Sequence, residues 1–262
     1  MNCIYSYWLS KPVLPGAEYG AQCMSAYAKQ VGADFRFDRH DPYMNRHGVD
    51  ARWFDKLRPV FDPTFEQYEK FLVVDSDVFP VDGITANIFD EPVGDFGMVE
   101  EPDQPAFRER WPSSLFSRLA DEKWELFVSA LYRCQIPQDA MKRPRTWNAG
   151  VILFSREGRA TLRTIAPQPR DYVREAKRRG LPEGYATEQA LCNTWAFLPG
   201  MNFTPLPLEW NRQIHALGDG SVYDRRTPET KFVHVMLRAA DHNDAAWHHR
   251  MVNSHKPNGK AD

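Results

Sequence analysis

The sequence lacks any long apolar run, since no stretch approaches the roughly 20 apolar residues that a membrane-spanning helix needs. Its N-terminal segment, MNCIYSYWLSKP, also lacks the basic start followed by an apolar core that marks a signal peptide. We therefore expect no integral membrane segment and no signal peptide, and the cytoplasm is the default compartment for such a chain.

Closely paired cysteines and an excess of one charge are absent as well. Without a Cys-x-x-Cys spacing, the cysteines favour neither a zinc site nor a disulfide framework. The 33 Lys and Arg residues against 35 Asp and Glu residues leave a formal net charge of -2, which gives no overall attraction to nucleic acid. We therefore expect no nucleic-acid partner. The cysteines are scattered along the chain: Cys3, Cys23, Cys134 and Cys192.

What the sequence does contain is an alternation of strand and helix patterns. An aromatic strand pattern over residues 3–9 is followed by a helical face over residues 18–32 and a second strand over 33–40, which is typical of a βαβ unit. A helical stretch from residue 53 leads into the strand FLVV, which shows no alternation and so indicates burial on both faces, as in the centre of a parallel sheet. These patterns predict an α/β fold with a mixed, mostly parallel central sheet flanked by helices.

Later segments continue this organisation. WNAGVILFS and KFVHVML read as further strands, and a helix is predicted from Thr187, which can cap it, with Leu191 and Trp195 facing inward. Residues 102–145 are less regular and carry their own aromatic residues, so we predict a helical insertion there. The sequence thus indicates one domain over residues 1–250 and a polar tail over 251–262.

Two aspartates, Asp75 and Asp77, directly follow the apolar strand FLVV. Ligands bind outside the carboxyl ends of strands in α/β sheets, and two carboxylates converging there repel each other unless a cation lies between them. Mg²⁺ or Mn²⁺ suits such an oxygen-rich site and would bind diphosphate oxygens on its far side. The plain alternative is a solvated turn, because Asp and Ser are common turn residues.

One metal chemistry with such a turn is that of haloacid dehalogenase-like phosphatases. VVDSDV contains the Asp-x-Asp pair of their motif, with Asp75 as the nucleophile that takes up the phosphoryl group. Asp219 and Asp224 could serve as the later acidic motif of that family. However, the aspartate motif normally opens the core of these phosphatases, whereas a complete βα unit precedes it in this chain.

Several segments in order resemble a different group, the nucleotide-sugar glycosyltransferases with the fold named GT-A. The likeness is greatest to the family 8 retaining group, which is glycogenin- and galactosyltransferase-like. The segments that carry it are FLVVDSDVF, WNAGVILFS, ATEQALCN, LPLEWN and KFVHV. The chain departs from that group near its last histidine, where HVMLRAADHNDAAW replaces the expected Lys-Pro-Trp, and residues 102–145 match no acceptor region.

The resemblance implies an enzyme that transfers a sugar from a nucleotide-diphosphate-sugar, foremost a UDP-sugar, to an acceptor hydroxyl with retention of configuration. The acceptor is left open among glycans, lipid-linked sugars, proteins and small molecules. The ligands implied for Mn²⁺ or Mg²⁺ are Asp75, Asp77 and His234. The residues implied for donor binding are Tyr7, Trp8, Lys56, Asp75, Ser76, Asn148 and Gly150. The residues implied near the reacting carbon are Glu188 and Gln189.

A plainer interpretation stands beside each role. His234 is either a metal ligand or a core histidine, and Lys56 either meets phosphate or lies on a helix surface. Asn148 and Gly150 also fit an ordinary turn, and Glu188 also suits the first turn of any helix. The aromatic residues Tyr5, Tyr7 and Trp8 either stack on the base or pack in the core.

Two other functions remain open at this point. A nucleotide-sugar-binding protein would keep the metal site without turnover. A nucleotidyltransferase would carry a glycine-rich phosphate loop near the first strand, and SKPVLPGAEYG is a poor one.

Overall fold

The computed structural model describes residues 1–110, 112–216, 222–236, 245, 249 and 252 of the chain. The strands among these residues are β1 (Cys3–Trp8), β2 (Asp34–Arg39), β3 (Lys70–Val74), β4 (Val78–Pro80), β5 (Phe96–Glu100), β6 (Trp147–Ser155), β7 (Phe203–Leu206), β8 (Arg212–Ala216), β9 (Val222–Asp224) and β10 (Phe232–Met236). The α-helices are α1 (Pro15–Gln30), α2 (Ala51–Phe54), α3 (Arg58–Phe61), α4 (Gln104–Arg110), α5 (Arg118–Tyr132), α6 (Arg156–Ile165), α7 (Pro169–Arg178) and α8 (Glu188–Ala196).

A six-stranded sheet in the order β2-β1-β3-β6-β5-β7 forms the centre of the molecule. Strands β2, β1, β3, β5 and β7 run in one direction, and β6 runs against both of its neighbours. Helix α1 lies between β1 and β2 in the chain, which confirms the predicted βαβ start. The predicted mixed, mostly parallel sheet flanked by helices is therefore confirmed.

Strand β3 is buried on both faces, as its unbroken apolar run predicts. Phe71 and Val73 belong to a core cluster on one side of the sheet, and Leu72 and Val74 belong to a cluster on the other side. Only the neighbour on one side is parallel, because β3 pairs with β1 in parallel and with β6 in antiparallel register. Every residue of β6 is buried too. These two central strands lead directly to the candidate site.

A second, four-stranded sheet has the order β4-β10-β8-β9. Strand β4 starts just after the Asp-Ser-Asp turn and pairs with β10 in antiparallel register, with Val78 opposite His234. Strand β8 pairs with the other edge of β10 in parallel register. Because the first and last parts of the chain meet in this small sheet, it brings His234 next to the two aspartates.

Two sequence-based expectations about helices need correction. The helical stretch predicted from residue 53 is a series of short turns, because Pro59 and Pro63 cannot donate backbone hydrogen bonds within a longer helix. Thr187 does stand at the N-terminal cap position of α8, and Leu191 and Trp195 do face inward. Its hydroxyl, however, donates to the Gly184 carbonyl at 2.9 Å and does not cap the helix.

The segment 102–145 contains helices α4 and α5. Its residues Trp124 and Phe127 join the same core cluster as Trp147 of β6, so this segment packs against the central sheet. The predicted division into one domain with an insertion stays a prediction. Trp111, Asp219 and, apart from Val252, the tail 251–262 lie outside the described residues. In the part of the chain that the structure describes, no helix is both long enough and apolar enough to span a membrane.

Candidate metal centre

The Asp-Ser-Asp turn is held by backbone hydrogen bonds from two neighbouring strands. The Asp75 amide donates to the Gly150 carbonyl of β6 at 2.9 Å, and the Val235 amide of β10 donates to the Asp77 carbonyl at 2.9 Å. The turn is therefore fixed from both sides before any side chain is considered. This explains how two polar residues after a buried strand can keep one orientation.

Helix α1 packs closely against the same turn. A methyl group added at Gly20 would lie 2.2 Å from the carbonyl oxygen of Ser76, so the helix can approach this closely only with glycine at that position. Gly20, which belongs to the helical pattern in the sequence, thus allows α1 to pack against the Asp-Ser-Asp turn. The backbone of Ser76 is in contact with the helix, and the predicted contact of Ser76 with a donor stays a prediction.

Asp75, Asp77 and His234 form one cluster, with one ligand atom from each residue within 4.8 Å of the others. Nε2 of His234 lies 3.3 Å from Asp77 Oδ1 and 4.0 Å from Asp75 Oδ2. Two carboxylates and an imidazole form a donor set that fits a divalent cation such as Mn²⁺ or Mg²⁺. These three residues, which are far apart in the sequence, meet as predicted.

The electrostatics of this cluster favour a positive charge beside the aspartates. Burial of the His234 ring disfavours its charged form, but the adjacent carboxylates of Asp77 and Asp75 outweigh that penalty and raise the pKa of the imidazole. A proton or a metal ion on Nε2 would each relieve the repulsion between the carboxylates. His234 is therefore in contact with the acidic pair and is more than a core histidine.

Lys56 is buried and links two carboxylates. Its Nζ lies 2.7 Å from Asp75 Oδ1 and 3.0 Å from Glu188 Oε1, and it donates to the Ala149 carbonyl at 3.2 Å. Burial alone would lower the pKa of Lys56, but Asp75 and Glu188 raise it well above its ordinary value. The interpretation of Lys56 as a helix-surface lysine is therefore wrong.

Glu188 opens helix α8 and is almost fully buried. Burial raises the pKa of its carboxyl group, and the nearby Lys56 ammonium counteracts part of that effect. One oxygen, Oε1, faces Lys56, while Oε2 is buried without a hydrogen-bond partner among the described residues. An orphaned buried carboxylate oxygen is costly, so this atom is a candidate for contact with a ligand.

Gln189 and Asn148 meet at a fourth acidic residue, Glu101. Asn148 donates to Glu101 Oε1 at 3.0 Å, and Gln189 donates to Glu101 Oε2 at 3.4 Å. The Gln189 side-chain oxygen also accepts a hydrogen bond from the Ala149 amide at 3.2 Å. The two predicted residues thus lie side by side in one hydrogen-bonded network, which leads toward His234.

Gly150 allows close approach, but the group that approaches it within the chain is His234. A methyl group at Gly150 would lie 2.4 Å from Cε1 of the His234 ring and 2.7 Å from Asn148 Oδ1. Glycine is therefore required here for the imidazole to reach the aspartates. The predicted contact of Gly150 with a donor sugar stays a prediction.

The aromatic residues at the end of β1 differ from one another. Tyr5 is fully buried in the core, so base stacking by Tyr5 is excluded. Tyr7 is half-buried and donates its hydroxyl hydrogen to the Arg52 carbonyl at 3.1 Å, and burial raises its pKa well above the ordinary value. The Trp8 indole donates to the Pro12 carbonyl at 3.2 Å. Tyr7 and Trp8 remain the candidates for stacking on a base.

Sequence reasoning missed the role of Glu101 and Asn211 in this network. Glu101 directly follows β5, so the strand-end rule that selected Asp75 also applied to it. Asn211 lies in the segment LPLEWN, but the sequence alone indicates no function for it. Its side chain connects Asn148 with His234.

Comparison with solved structures supports the predicted fold. No family model matches the sequence, and no curated protein matches it. A solved glycosyltransferase involved in the glycosylation of the major capsid of PBCV-1 superposes with a TM-score of 0.52 at 16% identity, over 92% of this chain and 97% of that one. The structure of an active-site mutant of LgtC superposes with a TM-score of 0.53 at 13% identity, over 99% of this chain and 98% of that one. The chain therefore has the GT-A fold that its sequence predicts.

Proposed function

We propose that the protein is a metal-dependent glycosyltransferase that moves a sugar from a nucleotide-diphosphate-sugar, foremost a UDP-sugar, to an acceptor hydroxyl with retention of configuration. The observation that carries this proposal is the cluster of Asp75, Asp77 and His234 at the carboxyl end of β3 in a GT-A fold. Neither the fold nor the cluster alone would suffice, because folds host many functions and acidic clusters are common.

Asp75, Asp77 and His234 would hold Mn²⁺ or Mg²⁺. When bound, the ion neutralises the negative charge that develops on the leaving diphosphate. The residue set fits the ion, since carboxylate oxygens suit hard divalent cations and the imidazole supplies a neutral third ligand. A cation there also removes the repulsion between the two carboxylates.

Lys56 acts on this site through Asp75 and Glu188. An ammonium group has three hydrogens, and the structure provides three acceptors, namely Asp75, Glu188 and the Ala149 carbonyl. Lys56 would therefore have to give up one of these contacts to bind a phosphate. We assign it first the task of holding both carboxylates in place, and its contact with phosphate remains a prediction.

Glu188 and Gln189 lie next to this cluster and are the residues we place near the anomeric carbon. In the transfer, the bond from that carbon to the diphosphate oxygen breaks, and the diphosphate keeps the electron pair. The acceptor oxygen bonds to the carbon on the same face, and its proton passes to the leaving diphosphate. The orphaned oxygen of Glu188 would stabilise the positive charge that builds on the sugar ring.

The acceptor is expected on the side of Glu101. An open pocket borders Glu101 and Asn211 and is also lined by Gln104 and Phe107 of the segment 102–145. Its chemistry fits a hydroxyl-bearing acceptor, because carboxylate and amide groups bind hydroxyls and an aromatic ring packs against sugar faces. A glycan, a lipid-linked sugar, a protein or a small molecule would each supply such a hydroxyl.

A thermal-shift panel of UDP-, GDP- and other nucleotide-sugars, each with and without Mn²⁺, tests the proposal. We expect one nucleotide-sugar to raise the melting temperature only when Mn²⁺ is present, together with slow release of the nucleoside diphosphate. Asp77→Asn should abolish the metal-dependent rise, whereas Asp82→Asn, at an exposed position outside the cluster, should keep it.

Two outcomes of this panel would replace the proposal. No shift with any nucleotide-sugar, together with phosphate release from a simple phosphomonoester, would identify a phosphatase that uses Asp75 as its nucleophile. A metal-dependent shift without turnover across all acceptors tried would identify a nucleotide-sugar-binding protein.

A further inference from the structure

His234 is held on the side of its ring that faces away from the aspartates. Its Nδ1 lies 3.1 Å from Oδ1 of Asn211, while its Nε2 faces Asp77 and Asp75. Both His234 and Asn211 are almost fully buried, so water does not compete for this hydrogen bond. Which ring nitrogen carries the hydrogen decides whether Nε2 can bind a metal ion, because a ligating nitrogen must be bare.

The hydrogen-bond network around His234 determines which ring nitrogen carries the hydrogen, and it begins at the backbone amide of Gly150. The Gly150 N–H can only donate, and it lies 2.7 Å from the side-chain oxygen of Asn148. The other end of the Asn148 side-chain amide lies 3.0 Å from a Glu101 carboxylate oxygen. Because a carboxylate oxygen accepts, the NH₂ group of Asn148 must be at this end. Two independent partners therefore fix the orientation of Asn148.

This orientation determines the next residue in turn. The Asn148 oxygen, already an acceptor, lies 2.9 Å from the Asn211 side chain, which must present its NH₂ group there. The oxygen of Asn211 consequently points to Nδ1 of His234. Since an amide oxygen only accepts, Nδ1 must carry the hydrogen, and Nε2 of the neutral ring is left bare.

The other neutral tautomer of His234, with its hydrogen on Nε2, competes with the Nδ1–H tautomer. Asp77 Oδ1 lies 3.3 Å from Nε2. A neutral histidine without a partner at Nδ1 would therefore carry its hydrogen on Nε2 and donate it to this carboxylate. That tautomer would block the metal-binding nitrogen. Among the described residues, the Asn211 oxygen on the opposite side of the ring is the group that opposes it.

We propose that Asn211 is a positioning residue that holds neutral His234 in its Nδ1–H tautomer and so presents a bare Nε2 to a divalent cation at Asp75 and Asp77. The inference rests on the metal site of the proposed function and adds a residue outside the ligand set. A partner that fixes the tautomer of a ligating histidine typically changes metal affinity by about 10- to 100-fold.

The tautomer can be measured in the metal-free wild-type protein by nitrogen-15 NMR of labelled histidine, at a pH where the imidazole is neutral. The protein has 8 histidines, so the His234 signals are identified by their loss in His234→Gln. We expect the Nδ1–H tautomer. An Nε2–H tautomer in the wild type overturns the role of Asn211, and no variant of Asn211 is needed to reach that result.

Asn211→Leu then tests the cause, since leucine keeps a similar volume without any polar atom. We expect the ring to change to the Nε2–H tautomer and the dissociation constant for Mn²⁺, measured by titration without donor or acceptor, to rise about 10- to 100-fold. Circular dichroism checks that each variant is folded.

The outcomes separate the two proposals. An unchanged tautomer and an unchanged Mn²⁺ affinity in a folded Asn211→Leu protein overturn the role of Asn211, even if the wild type binds the metal. A wild-type protein with the Nδ1–H tautomer that binds no Mn²⁺ overturns the metal site of the proposed function.

Discussion

The ammonium group of Lys56 lies 2.7 Å from a carboxylate oxygen of Asp75, the residue that directly follows the buried strand β3. The same ammonium is 3.0 Å from Glu188, at the start of α8. One buried cation therefore joins a candidate metal ligand to a candidate catalytic carboxylate.

Removing this cation should destabilise the protein strongly. Lys56→Met keeps the unbranched apolar part of the side chain but removes the ammonium group between Asp75 and Glu188, and breaking a buried ion pair costs roughly 3–5 kcal/mol. Urea unfolding should show this loss in the free energy of unfolding. The double variant Lys56→Met/Glu188→Gln should recover part of it, because one of the two unpaired charges is gone. A Lys56→Met protein as stable as the wild type would show that this buried ion pair does not stabilise the fold.

Glu188 should matter for turnover more than for metal binding. Glu188→Gln keeps the shape of the side chain but removes the charge that would stabilise the developing positive charge on the sugar. We expect the rate of nucleoside diphosphate release to fall on the order of a hundredfold. The Mn²⁺ dissociation constant should stay close to that of the wild type, because Glu188 is not a ligand. Equal turnover in variant and wild type would remove Glu188 from the reaction.

Gly150 should be intolerant of even one added methyl group. In Gly150→Ala the new carbon would meet the His234 ring at 2.4 Å, so the imidazole must move away from Asp77. We expect weaker Mn²⁺ binding by about tenfold or more, as for other losses of support to a metal-ligating histidine. Titration of Mn²⁺ in both proteins measures the difference, and an unchanged affinity would show that His234 is not held against Gly150.

Asp55, next to Lys56 in the sequence, should give the protein a measurable pH dependence of stability. Burial raises the pKa of its carboxyl from 3.8 to about 6, although the backbone amides of Met44 and Tyr43 donate to it and counteract the rise. The folded protein then binds this proton more tightly than the unfolded chain does. The resulting stabilisation is present below the ordinary carboxyl pKa and is lost as the pH rises through about 6.

Asp55→Asn provides the comparison, because asparagine does not titrate. Between pH 4 and pH 7 the free energy of unfolding of the wild type should fall relative to that of the variant by about 2 kcal/mol, because most of the effect of a pKa shift of about two units falls within this pH range. Urea unfolding at several pH values measures both curves. Parallel curves would mean that Asp55 has an ordinary pKa in the folded protein.

Much of the fold follows from the sequence because its central elements are apolar and sharply bounded. The segments FLVV of β3 and VILF of β6 are unbroken hydrophobic runs, and the burial of β3 on both faces could be predicted from that pattern alone. The small second sheet could not be predicted in this way. Strands β4 and β9 each have three residues, too few to show a period, and the sheet forms by pairing distant parts of the chain.

The candidate site was partly predictable for a related reason. Asp75 and Asp77 follow a strand that is easy to recognise, and His234 lies in another such strand. The sequence leaves Lys56 open as a phosphate ligand or a surface lysine, because lysine is rarely buried without partners and its partners lie far away in the sequence. Glu101 and Asn211 were missed since their importance comes from the hydrogen bonds they make with Asn148.

The central claim is that Asp75, Asp77 and His234 bind a divalent ion that in turn binds the diphosphate of a nucleotide-sugar. Calorimetric titration of UDP into the wild type and into Asp77→Asn, each with and without Mn²⁺, tests it most directly. We predict tight binding only for the wild type with Mn²⁺, and equally weak binding in the other three conditions. Binding of UDP by the wild type that is the same with and without Mn²⁺, or metal-dependent binding that survives in Asp77→Asn, would contradict the claim.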